Sequence, residues 1–103
     1  MWEAAESILA FTKDLDWDQF AADKKTQHAV VWNLTVLGEA ARHVPDSVIQ
    51  SYPDVPWAKI RGMRNHITHG YDRIQLTIVW NVVTNELAPL IARLRAIHDE
   101  VEE

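Results

Sequence analysis

Lys24-Lys-Thr-Gln-His-Ala-Val-Val-Trp-Asn-Leu-Thr-Val-Leu-Gly-Glu-Ala-Ala-Arg-His-Val44 is the stretch from which the fold is read. Val30, Val31, Leu34, Leu37, Gly38, Ala41 and Val44 recur at i, i+3, i+4 and i+7, the spacing of a helix with one buried face. Pro45 ends it, because a proline cannot continue the hydrogen-bond ladder.

Residues 75–101 repeat the pattern with Leu76, Val79, Trp80, Val83, Leu87, Leu90, Ile91, Leu94 and Ile97, and Pro89 inside that run predicts a kink. Residues 2–13 read as a first helix, with Ile8, Leu9 and Phe11 apolar. Asp14 to Asp23 holds a short second one, with Trp17, Phe20 and Ala21 at helical spacing. Asp46 or Ser47 can cap a short helix through Tyr52, followed by a turn at Pro53-Asp54-Val55-Pro56. Asp54 is then expected to cap a further helix with Pro56 in its first turn; Trp57, Ile60, Met63/Arg64 and Ile67 form its stripe and Gly70 ends it. Strand-period alternation, repeats and low-complexity tracts are absent. The pattern predicts one all-α domain over 1–103, an antiparallel bundle of about four main helices.

At 103 residues the chain hides only about two-thirds of its unfolded surface, so association with a second copy would bury more. Five tryptophans point to a core, or an interface, built on aromatic anchors. With no cysteine, disulfides and thiolate chemistry are excluded, which suits a cytoplasmic protein. The longest charge-free run, the 13 residues Thr26 to Gly38, is too short and polar to span a bilayer. The first residues are acidic and unlike a signal peptide, and their abrupt start fits a somewhat longer native first helix. A net charge of −5 argues against sequence-independent binding along nucleic acid. Residues 57–73 differ: Lys59, Arg61, Arg64 and Arg73 against Asp72 give a local +3, the electrostatics of a small cleft for a few phosphates or of a solvated face.

The chemistry gathers in Arg64-Asn65-His66-Ile67-Thr68-His69-Gly70-Tyr71. Asn65 and His69, four apart, share a helix face, with Arg61 one turn earlier. Arg64 and His69, about 140° apart on an ideal helix, meet at one target only if the helix loosens near Gly70 or a second subunit contributes. An arginine and a histidine suit metal-free phosphodiester cleavage. The imidazole moves a proton at the 2′-hydroxyl or leaving oxygen, and the guanidinium offsets charge on the non-bridging oxygens. Plain structural roles fit the spacing equally well, such as an ion pair between Arg64 and Glu39 or packing by Tyr71. His66 and His69 lack a third spaced ligand, so a metal is not expected; His28, His43 and His98 read as isolated surface or core residues.

The octapeptide fits R-x4-H-x-Y and resembles the signature of HEPN-domain ribonucleases, specifically the HepT-like toxins paired with minimal nucleotidyltransferase (MNT) antitoxins. Asp23-Lys-Lys-Thr-Gln-His-Ala-Val30, Leu37-Gly-Glu-Ala-Ala41, Asp54-Val-Pro-Trp57 and Val79-Trp80 are similar to that family too, although its members have a longer N-terminus. The resemblance implies a toxin of a type VII pair that needs no cofactor and acts as a homodimer or higher oligomer with two motifs at its interface. It implies cleavage of tRNA or mRNA with Arg64 and His69 as the catalytic pair and Asn65 in support; the local charge of the segment makes Lys59, Arg61, His66 and Arg73 the candidates for holding the RNA. It also implies silencing by AMP transfer from the antitoxin onto Tyr71. The alternatives are a non-catalytic helical substrate-binding partner of a nucleotidyltransferase and a plain dimerisation protein.

Overall fold

The computed structural model describes residues 2–62 and 73–102, with side chains over 75–100 in the second stretch. Helices are the only regular elements among the described residues: α1 (Trp2–Thr12), α2 (Trp17–Ala22), α3 (Lys24–Arg42), α4 (Asp46–Ser51), α5 (Trp57–Gly62), α6 (Arg73–Asn81) and α7 (Leu87–Glu102). One π-helical turn, Val82–Glu86, joins α6 to α7.

The predicted face of α3 is the face that is buried. Val30, Leu37 and Ala41 are fully enclosed, and Val31 and Leu34 nearly so. Ala5 and Ile8 of α1, Phe20 of α2, and Trp57 and Ile60 of α5 belong to the same core. The stripe Leu76, Val79, Val83, Leu87, Leu90, Ile91, Leu94 and Ile97 completes it. At one end of the bundle, Trp2 lies edge-on to His98 at 4.8 Å, and Glu6 pairs with Arg95. Toward the other end of α1, Leu9, Thr12 and Leu15 share a cleft with Trp80 and Val83, so α1 runs antiparallel to the last helices.

Side chains seal the short elements. Asp16 and Gln19 form a capping box at the start of α2, with bonds of 2.8 Å and 3.0 Å. Asp23 starts α3 by accepting from the Thr26 amide at 3.1 Å and the Thr26 hydroxyl at 2.6 Å. Gln27, itself buried, donates to the Phe20 and Ala21 carbonyls at 2.8 Å and 3.0 Å, adding to the Asp23 amide that already reaches Phe20 at the end of α2.

Two expectations change, and a π turn stands beside the proline where a kink was expected. Asp54 does not direct its carboxylate at the helix start; it takes the Arg93 guanidinium in two bonds of 2.5 Å and 3.2 Å, a charge-assisted fork stronger than a neutral amide contact. Helix α4 has Pro45 at its N-cap position and no side-chain cap, so neither Asp46 nor Ser47 serves there. Pro89 does not break the last helix. Its missing amide and its ring conflict with the carbonyl of Asn85, and the π turn just ahead absorbs the conflict, with the Leu87 amide bonded to the Val82 carbonyl. Met63, Ile67 and the terminal glycine expected at Gly70 lie outside the described residues.

Two outcomes test this core. Leu34→Ala should lose about 3 kcal/mol, within the 2–5 kcal/mol range for emptying an enclosed leucine site, as measured by urea unfolding. The Arg93 guanidinium bonded to Asp54 holds that carboxyl below the usual aspartate range. A depressed folded pKa stabilises the fold above the unfolded value of about 3.9, and the gain is lost as pH falls through the folded value. Asp54→Asn should therefore lower the melting temperature by a constant amount above about pH 5, and the gap should close in stronger acid.

Candidate functional site

The segment quoted for its chemistry begins on α5. The described part of this helix is Trp57–Gly62, and its placement rests on what it packs against. Trp57 and Ile60 point inward, and the Trp57 indole N–H donates to the Tyr52 carbonyl at 3.0 Å. Lys59 and Arg61 flank Ile60 and reach in different directions. The Lys59 ammonium pairs with Glu86 at the end of the π turn. The Arg61 Nε donates at 3.2 Å to the Ala41 carbonyl in the last turn of α3, beside the longer bond of 3.4 Å that this carbonyl accepts from the Val44 amide. A guanidinium there also meets the negative end of the helix dipole.

Past Gly62, where an added Cβ would meet nothing within 4 Å, the sequence carries the motif. Arg64, Asn65, His66, His69 and Tyr71 all lie outside the described residues, as does the side chain of Arg73, whose backbone opens α6. The ion pair weighed between Arg64 and Glu39 falls there too; on α3 itself, Glu39 lies 3.7 Å from Arg42. Of the eight residues expected at the site, the structure thus describes the side chains of Lys59 and Arg61, and both are engaged within the fold.

A groove of about 450 Å³ lies between the start of α5 and residues 85–93. Val55, Ile60 and Leu90 line its apolar part, and the ion pairs Lys59–Glu86 and Asp54–Arg93 flank it. The Oε2 of Glu86 is buried with no hydrogen-bond partner among the described residues. Neither pair was foreseen from sequence, because the partners stand 27 and 39 residues apart and no periodicity links them. Among the described residues, no group of three His, Cys, Asp or Glu side chains is placed to hold a metal ion. No described helix is long and apolar enough to cross a membrane.

The tryptophans divide. Trp57 is buried, Phe20 stacks on Trp80 at 4.9 Å, and Trp2 and Trp17 pack partly against the core. Trp32, expected in the core or an interface, is 67% exposed on α3, with the exposed Val36 one turn further on. His28 and His43 are exposed.

Comparison with known proteins adds a family. The profile described as Ribonuclease HepT-like matches residues 1–97. A candidate RNase of Methanocaldococcus jannaschii is 37% identical over 100 residues, 97% of this chain and 83% of that protein. A second candidate RNase from the same organism is 33% identical over 82% of this chain and 78% of its own length. A candidate ribonuclease HepT of Thermococcus cleftensis is 33% identical over 85% of this chain and 80% of its own length. No solved structure matches. A helical core carrying a polar motif between α5 and α6, matched by one profile along nearly its whole length, makes this chain a member of the HepT-like ribonuclease family.

Proposed function

We propose that the chain is a metal-independent endoribonuclease, the toxin of a HEPN/MNT pair, acting on tRNA or mRNA in the cytoplasm. The observation that carries this reading is the intact R-x4-H-x-Y run Arg64–Tyr71 in a chain that the ribonuclease family spans from residue 1 to 97. His69 takes the proton of the RNA 2′-hydroxyl, the 2′-oxygen bonds to phosphorus and the bond from phosphorus to the 5′-oxygen breaks. In a homodimer the second copy's imidazolium returns a proton to that leaving oxygen. Arg64 offsets the charge gathered on the non-bridging oxygens. Asn65 orients the ring or the phosphate, and His66 and Arg73 grip flanking phosphates.

The exposed Trp32 and Val36 of α3 support association of two copies, since a large aromatic beside a second apolar side chain marks a surface that gains from being covered. Silencing by the antitoxin is read as AMP transfer onto Tyr71, two residues beyond His69. An added phosphate brings negative charge and bulk beside the general acid–base residue and repels RNA.

Cleavage of RNA by purified, unmodified protein in excess EDTA, leaving 2′,3′-cyclic phosphate ends, is the expected outcome. His69→Ala and Arg64→Ala should each reduce it by at least about 100-fold, with unchanged helical circular dichroism. Binding of RNA without cleavage, once mass spectrometry has excluded AMP on Tyr71, would favour a non-catalytic partner of a nucleotidyltransferase. Tyr71→Phe should cleave as the parent does and resist silencing by the antitoxin; full silencing of that variant would mean inhibition by tight binding alone.

A further inference from the structure

We infer that Lys59 and Arg61 are positioning residues that fasten α5 to the two elements beside it, rather than contacts to RNA. What they position rests on the ribonuclease reading; the fastening itself rests on geometry. The described turns of α5, Trp57–Gly62, lead in sequence into the segment holding Arg64. Its buried anchors, Trp57 and Ile60, lie on one face, which leaves rotation about that face to be fixed by other contacts.

Lys59 fixes one flank. Its ammonium meets Glu86, which the π turn presents, and the second oxygen of that carboxylate is buried without a hydrogen-bond partner among the described residues. Removing Lys59 would leave a carboxylate in a half-buried place with no counter-charge, the costly way to break such a pair. Arg61 fixes the other flank through Nε and the Ala41 carbonyl, tying α5 to the end of α3, whose Ala41 is fully enclosed.

Both contacts limit what the segment offers a phosphate: Glu86 offsets the charge of Lys59, and Arg61 keeps its charge but commits Nε. A phosphate passing Lys59 meets an ion pair of no net charge. A guanidinium that has committed Nε cannot offer the side-on fork, made of Nε and one terminal nitrogen, to a phosphate.

A charge exchange separates the two roles. Lys59→Glu, Glu86→Lys and the double variant would be compared with the wild type by hydrogen exchange at the amides of 57–62 and by kcat, KM and salt dependence of RNA cleavage. Each single change should raise exchange at 57–62, and lower kcat, by about tenfold or more. The double variant should restore both, with KM and salt slope as in the wild type, although residue 59 is now acidic. An RNA contact gives the reverse: exchange unchanged in Lys59→Glu, KM raised, the salt slope reduced by about one phosphate contact, and no recovery in the double variant.

For Arg61, Arg61→Ala and Arg61→Lys should both raise exchange and lower kcat, because lysine keeps the charge and lacks Nε. Full activity in Arg61→Lys with weakened binding in Arg61→Ala would overturn the inference. If the wild type does not cleave RNA, the ribonuclease reading fails by itself, and hydrogen exchange still decides the fastening: recovery in the double variant upholds it and unchanged exchange in the single variants refutes it.

Discussion

The structure depends on covering one face of α3. Its buried side chains lie along a single stripe, and no single neighbour spans that stripe. Ala5 and Ile8 join it from α1, Phe20 from α2, and Trp57 and Ile60 from α5. Those elements lie before and after α3 in sequence, so the core closes only when both parts of the chain have arrived. The last helices add the long stripe Leu76–Ile97, with Phe20 against Trp80 where the two halves meet. A chain of 103 residues has limited surface to bury, so each enclosed side chain matters more than it would in a larger domain.

Short helices are the consequence. Helices α2 and α4 have six residues each, too few for backbone hydrogen bonds to sustain them. The fold compensates at their ends. Asp16 and Gln19 close one end of α2, and Gln27 the other. Tyr52, just past α4, donates its hydroxyl to Glu100 on α7 at 2.7 Å, and Arg93 lies over the same ring. Helix α5 receives Glu86 from one side and the Ala41 carbonyl from the other. Polar side chains thus do at the helix ends what apolar packing does along the long faces.

That division explains what was legible in the sequence. The stripes of α3 and of residues 76–97 are repetitive, and a repeat of 3.6 residues can be read without knowing the neighbours. Asp54 was misread because cap preference is judged over three or four residues, whereas its partner Arg93 stands 39 residues away. The π turn ahead of Pro89 was not legible, because no residue type at 82–86 marks it, whereas the proline itself could be read as a perturbation of the helix. Trp32 shows the limit of composition: a tryptophan count says that aromatic surface will be covered, and not by what. The candidate site was legible in a different sense. Arg64, His69 and Tyr71 are spelled out as a motif, and the family follows from it and from the matched profile. The contacts of Lys59 and Arg61 were not legible, because Glu86 and Ala41 come from distant parts of the chain.

The charge balance gives the site its character. Counting residues 57–73 suggested a cationic cleft, yet the charge of Lys59 is offset by Glu86 and Arg61 is tied to a carbonyl. The chain as a whole carries a net −5. RNA therefore gains little from long-range attraction, and what attraction there is falls off within about 8 Å at physiological salt. On the proposed reading, catalysis then cannot rest on holding long RNA tightly. It rests on meeting one phosphodiester with an arginine and a histidine already in place, since misplacement of reacting groups by about 1 Å can cost about a hundredfold in rate. A helix fastened on two sides ahead of those residues is what such a requirement asks of the fold.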